Sequence, residues 1–193
     1  MIKKRIIAYI IDLFIITVLT SLVFSLPVFN KERELYLENT QKYQETYEAY
    51  TNDGASADEV IKKEYDMYHS SSSLLITKVG ITILYFSIIP YYTNYKTLGK
   101  KLLKIKIAPE KGDYIKPGHF FARGLITSNV IFDIITIILL LRLPIDLWQT
   151  SSITISYISY IIYLVLLETT IIDKNKRGLH DKLFNTKVVT DNK

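Results

Sequence analysis

Five charged side chains stand inside long apolar runs of this chain: Asp12, Arg123, Asp133 and Glu168, with Lys78 near the start of its run. A charge at the centre of a membrane helix costs roughly 2.5–3.5 kcal/mol on insertion scales, and each Leu, Ile, Phe or Val returns only about 0.3–0.6. Residues placed at that cost are expected to face other helices and to find partners there. Asp12 follows Arg5 by two helical turns, so both project from one face with Ala8 between them. At a rise of about 1.5 Å per residue, Asp12 then lies roughly 10 Å deeper than Arg5. Arg123 enters its own apolar run from the same side, and the depths permit an Asp12–Arg123 pair. Asn129 and Asp133 are spaced to share a helical face, and Glu168 stands about one turn from the inner end of the last run. Two chemistries fit these positions. Either the charges form buried pairs that fix helix register, or some of them bind or relay an ion or proton.

Other chemistry is limited by what is missing. There is no cysteine, which excludes disulfides, thiol catalysis and Cys-bound metal. His69, His119 and His180 are far apart and make no metal-binding cluster. No Ser/His/Asp or HExxH-like arrangement occurs, and Gly99-Lys100 lacks the frame of a phosphate-binding loop. We therefore expect no enzyme, no cofactor and no metal.

The elements that position these charges follow from hydropathy. Mean hydropathy is +0.17 although 22% of the residues are charged, so apolar blocks must alternate with polar ones. Four runs approach the roughly 20 residues needed to cross the hydrocarbon as a helix: 6–29, 74–95, 120–141 and 153–172. Their many isoleucines favour strands by propensity, but the runs are too long for buried strands and lack the alternation of barrel strands. The first run is too long for a signal peptide and carries Asp12, so it is read as retained. Pro90 is expected to kink the second helix, and Tyr91, Tyr92 and Tyr95 to sit at an interface. In the fourth run, Ser152, Ser156, Ser159 and Tyr163 form a stripe that lets helices approach closely. Lys78 can snorkel outward.

Basic residues set the orientation. Segment 1–5 holds three basic residues and no acid, 96–119 holds seven against two, and 173–193 holds six against three. Segment 30–73 instead holds five against ten. Both termini are therefore expected in the cytoplasm of a multi-pass cell-membrane protein. The positive charge flanks apolar blocks, so no nucleic-acid partner is expected. In the outer segment, Tyr36, Tyr43, Tyr47 and Tyr50 recur at helical spacing, Asp53-Gly54 breaks the pattern, and Ile61, Tyr65 and Tyr68 fit a second helix. These tyrosines either pack helix on helix or form a cap for a ligand or partner. Inside, Leu103, Ile105 and Ile107 alternate with Lys104 and Lys106, which suggests a half-buried strand that pairs with 187–190. Lys100, Lys101, Lys104 and Lys106 suit anionic lipid headgroups. The expected fold is all-α: a four-helix transmembrane bundle with a small cytoplasmic β element and a helical outer segment.

RIIAYIID (Arg5 to Asp12), TLGKKLLKIKI (Thr97 to Ile107), Gly112, Arg123 and RGLHDKLFNTKVV (Arg177 to Val189) together resemble the RDD family of membrane proteins. That family is named for an arginine and two aspartates, which the resemblance assigns to Arg5, Asp12 and Asp181. It implies a bacterial-type polytopic protein for which transport of small solutes or ions, including cation/proton exchange, has been suggested. It also implies that Asp181 docks at the inner mouth, reaching Arg5 or the turn at Gly99–Lys101. On this reading Asp12 is the candidate site, with Arg5, Arg123 and Asp181 as gate or scaffold. A transporter of four short helices is expected to form a homo-oligomer. The competing class is a non-transporting scaffold or accessory subunit acting through its outer segment or basic inner face.

Overall fold

The computed structural model describes residues 1–52, 54 and 56–191. In chain order the elements are α1 (Ile2–Phe24), a 3-10 turn (Pro27–Phe29), α2 (Asn30–Asn52), α3 (Ala57–Ser70), α4 (Ser72–Ile83), a π-helical turn (Leu84–Ile88), α5 (Ile89–Tyr92), α6 (Leu98–Leu102), β1 (Ile105–Pro109), α7 (Pro117–Thr127), α8 (Val130–Arg142), α9 (Ile145–Ile172), α10 (Leu179–Leu183) and β2 (Thr186–Thr190). Among the described residues three stretches are long and apolar enough to cross a membrane: Ile2–Phe24, Ser72–Tyr92 and Ile145–Ile172. The α7–α8 pair becomes a fourth if it counts as one span. Apolar side chains stay exposed along these helices, for example Ile10, Phe14 and Leu22 on α1 and Ile153 and Ile161 on α9. Contiguous exposure of this kind suits contact with lipid.

The expected third span is not one straight helix. Its two halves are bent by 70° at a short break. Asn129 takes φ +63°, a left-handed conformation that Asn tolerates because its short amide can bond locally. Asn129 and Asp133 therefore do not share one helical face. The second span is continuous but locally widened. Pro90 cannot donate the bond that its position owes to the preceding turn. The chain answers with a π-helical turn, in which the Ile89 N–H bonds the Leu84 carbonyl.

The chain divides into two compact units. The first comprises Met1–Leu19, Gly80–Ile131 and Ile158–Lys193. One core cluster joins Ile16, Tyr85 and Phe86 with Tyr9, Ile15 and Ile81; a second joins Ile107, Ile115 and Phe120 with Tyr91 and Tyr95. Tyr92 is exposed, as an interfacial ring would be, whereas Tyr91 and Tyr95 pack on Phe120. The expected strand pairing is present: β1 and β2 run antiparallel, from Ile105 opposite Thr190 to Pro109 opposite Thr186.

The β element is half of a larger repeat. Helix α6, the left-handed Lys104 and strand β1 have a counterpart 81 residues later in α10, the left-handed Asn185 and β2. Leu98, Lys101, Leu102 and Lys106 match Leu179, Lys182, Leu183 and Lys187 in type. The bonds obey a local two-fold. Asp191 N–H donates to the Lys104 carbonyl at 2.8 Å, and Glu110 N–H to the Asn185 carbonyl at 2.8 Å. Asp191 pairs with Lys96 and with Lys106 (3.3 Å), and Glu110 pairs with their counterparts Arg177 and Lys187 (both 3.5 Å). At the central position of each short helix the two halves differ: Lys100 in one matches Asp181 in the other.

The second unit comprises Thr20–Val79 and Phe132–Tyr157. Helices α2 and α3 form a hairpin, with Asn39 Nδ2 donating to Ser70 Oγ at 2.9 Å. Ser56 caps α3 by accepting from Asp58 N–H, and Asp58 and Glu59 suit the positive end of its dipole. Gly54 takes φ +74° at the expected break, and Asp53 lies outside the described residues. Tyr65 and Tyr68 pack on buried Trp148, and the Tyr65 hydroxyl donates to the Leu140 carbonyl at 3.3 Å. This part of the tyrosine stripe packs helix on helix.

Candidate functional site

Helix α1 presents Asp12 and Arg5 to the two halves of the repeat. Asp12 is fully buried. It accepts hydrogen bonds from Tyr85 Oη (2.6 Å), Thr97 Oγ1 (2.5 Å) and Gly99 N–H (2.7 Å). Lys100 Nζ stands 3.8 Å away. Thr97 is also the N-cap of α6, accepting from Lys100 N–H, so Asp12 fastens the start of that helix to α1. Only glycine fits at position 99, because a Cβ there would lie 2.7 Å from Asp12 Oδ1 and collide with the Ala8 carbonyl. A carboxylate held by three donors is well satisfied without a full ion pair.

Asp181 is the second fully buried carboxylate. Arg5 Nη2 donates to its Oδ2 at 2.6 Å, and Arg123 clasps Oδ1 through Nη2 (2.8 Å) and Nε (3.1 Å). Thr186 Oγ1 and Gly178 N–H lie at 3.3 Å from Oδ1 and Oδ2. One carboxylate thus joins α1, α7 and α10. Arg5 Nη1 adds a bond to the Lys176 carbonyl at 2.5 Å. Burial opposes ionisation of Asp181, but the Arg123 and Arg5 charges overcome it and hold the carboxyl below its usual range.

Burial, aided by Arg123, pushes His180 down to about 3, so its imidazole is neutral. Arg5 Nη2 lies 3.4 Å from its Nε2. Asp181 Oδ1 lies 3.5 Å from the same nitrogen, so Nε2 has one donor and one acceptor beside it. The other ring nitrogen, Nδ1, is buried with no partner. Lys100 is likewise lowered, to about 8, by burial first and then by Arg123 and Arg5, against the pull of Asp12. Near neutral pH the cluster therefore holds three cations against two carboxylates. Beside it lies a cavity of about 370 Å³, lined by Arg5, Lys100, Arg123 and His180 and by apolar side chains of α1 and α9.

The structure brings Arg5, Asp12, Arg123 and Asp181 together and changes their pairing. Arg123 does not meet Asp12. The oxygens of Asp12 are taken by neutral donors, and the fork of Arg123 fits the open carboxylate of Asp181. Asp181 reaches Arg5 as expected, while the Gly99–Lys101 turn belongs to Asp12. Glu168 is exposed on α9. Tyr163, Leu166, Leu167, Thr170 and Ile171 of that helix line the cavity, and Glu168 falls off their stripe. Asp133 is half-buried in the second unit, where Lys78 is the charge that acts on it. Of the four lysines, Lys101 and Lys104 are exposed, Lys106 pairs with Asp191, and Lys100 turns toward Asp12. Tyr85, Thr97, His180 and Thr186 escape a reading based on charge. The signal for Tyr85 is a hydroxyl in an apolar run, which needs a buried partner.

A model of the RDD family matches residues 1–185, so the chain belongs to that family of membrane proteins. No curated protein and no solved structure matches the chain.

Proposed function

We propose that this RDD-family chain is a multi-pass protein of the cell membrane, with both termini in the cytoplasm, that moves or helps to move a small solute. The observation that carries this reading is the Arg5–Asp181–Arg123 bridge beside the cavity. A buried carboxylate shared by guanidiniums from two helices is a costly arrangement that breaks or holds as a unit. Opening it would free α10 and α1 from α7 next to a space large enough for a ligand. The excess of basic residues in 1–5, 96–119 and 173–193 supports the orientation, with α7 and α8 counted as one broken span. Exposed Lys101 and Lys104 would meet anionic headgroups, and a homo-oligomer would enclose the path.

One specific observation favours a second reading, a scaffold or accessory subunit without transport. Asp12 is fully buried and already bonded by Tyr85, Thr97 and Gly99, so a passing ion would have to displace a donor to reach it. The test is flux of Na⁺, K⁺, H⁺ and small organic anions into liposomes holding the purified protein. Asp181→Asn serves as the bridge variant. Flux lost in that variant while the protein still inserts supports transport. Absence of flux from the parent protein, with a co-purifying partner, supports the scaffold.

A further inference from the structure

The charged groups lining the cavity share one property: Arg5, Lys100 and Arg123 are all cations, and no carboxylate lines it among the described residues. Among the described residues Arg123 Nη1 and Arg5 Nε make no hydrogen bond. His180 Nδ1 is buried and unpartnered. The repeat sharpens the imbalance. Asp181 has guanidiniums at 2.6 and 2.8 Å, whereas its counterpart Lys100 has its carboxylate at 3.8 Å. Thr127 and Thr170 add hydroxyls, and most of the remaining lining is apolar, including Ile6 and Ile10 on α1 and Leu167 and Ile171 on α9, side chains that continue onto the exposed faces of their helices.

We infer that this cavity binds one anionic phospholipid without an amine, its phosphate against Arg123 and Lys100 and an acyl chain along α1 and α9. The proposal rests on the cavity being the ligand site named above, and it assigns the chemical class of that ligand. A phosphate accepts from several donors at once and offsets the excess positive charge. A zwitterionic lipid brings a positive headgroup to a cavity already lined by three cations, and Asp12 and Asp181 are committed to their own donors. The apolar walls take a chain that a free inorganic anion lacks. The charged groups facing Lys100 are Asp12 and Arg5 on α1, Arg123 on α7 and Asp181 on α10, and burial first, then the two arginines, depress its ammonium toward about 8. A bound phosphate counters that depression, so affinity falls as the pH rises above about 8.

The test is native mass spectrometry of the delipidated full-length protein, titrated with phosphatidic acid, chain-matched phosphatidylcholine and inorganic phosphate. Saturation at one phosphatidic acid per chain is expected, with weaker binding of phosphatidylcholine and no displacement by equimolar phosphate. Lys100→Gln, which leaves the Arg5–Asp181–Arg123 bridge intact, should weaken that binding about fivefold. That factor corresponds to the ~1 kcal/mol that one basic residue contributes toward anionic lipid. Leu167→Trp, on the apolar wall, should weaken binding without altering the preference. Equal binding of the two lipids, displacement by inorganic phosphate, or unchanged affinity in both folded variants would overturn the proposal. Flux measured on the same preparations separates the two ideas. Selective binding without flux sinks transport and leaves the lipid site standing, whereas flux with unselective binding sinks the lipid site alone.

Discussion

Replacing Asp181 by Asn leaves two guanidinium groups facing a neutral amide inside the protein. The native carboxylate uses both oxygens: Oδ1 takes the Arg123 fork, and Oδ2 takes Arg5 at 2.6 Å. An amide has one oxygen, so one arginine must meet an NH₂ group that can only donate. The side chain is fully buried, so water cannot substitute for the lost acceptor. Breaking a buried pair by removing one partner costs about 3–5 kcal/mol, because the remaining charge is left uncompensated. For a chain of this length, each kcal/mol moves the Tm by about 2–4 °C, so Asp181→Asn should lower it by roughly 6–20 °C. The assay is thermal unfolding of the purified protein in one detergent, followed by helical circular dichroism. Arg123→Leu is measured beside it, and the double variant closes the cycle. The double variant should be less destabilised than the two single costs predict, because it removes a cation together with its anion. A single-variant Tm within about 2 °C of the parent, or strict additivity in the cycle, would refute the bridge as the element that fastens α10.

Three further outcomes follow from the same geometry. Gly99→Ala places a Cβ 2.7 Å from Asp12 Oδ1 and against the Ala8 carbonyl. Overpacking of about 1–3 kcal/mol should lower the Tm by several degrees, and a neutral result in thermal unfolding would show that α6 can shift freely. Tyr85→Phe removes one of three donors to Asp12 and should cost about 1.5–3 kcal/mol, less than Asp181→Asn, in the same unfolding assay. Stability should also depend on acid. The folded pKa of Asp181 is depressed, so its contribution is complete above the ordinary carboxylate value and is lost as pH falls below it toward the folded value. Tm measured downward from pH 6 should hold until about pH 4 and then fall. Asp181→Asn should flatten that descent, and an equal acid slope in both proteins would refute the assignment.

The helical segments were legible because each rests on a pattern the chain displays locally. Apolar length marked the candidate spans, and alternation of Ile105 and Ile107 marked β1. The interruption at Ser128–Asn129 was not legible, because hydropathy is continuous through it and one left-handed residue carries the bend. Pro90 announced a disturbance but not its form, since the π-helical turn forms upstream in residues of ordinary type. The repeat was hidden by its own chemistry. Gly99 matches His180 and Lys100 matches Asp181 in the comparison, so the two halves differ at the buried central positions of otherwise similar helices.

The site was legible as a list of charges and illegible as a set of pairs, for a physical reason. Depth along a helix follows from sequence, and it allowed Asp12 to meet Arg123. Depth does not say which carboxylate already has donors. Thr97 and Gly99 supply Asp12 from a turn that looks, in sequence, like the edge of a basic stretch, and Tyr85 reaches it from another helix. Three neutral donors satisfy that carboxylate and leave it with little to gain from a guanidinium. Asp181 has only two weak protein donors at 3.3 Å besides its arginines, so its charge must be met by Arg5 and Arg123. Exchanging the partners would strand both carboxylates, Asp12 with more donors than it can accept and Asp181 with too few. The observed pairing is therefore the one that leaves neither buried charge unmet, and it is also the one that leaves Lys100 beside the cavity with only Thr97 Oγ1 at 3.3 Å and a carboxylate at 3.8 Å.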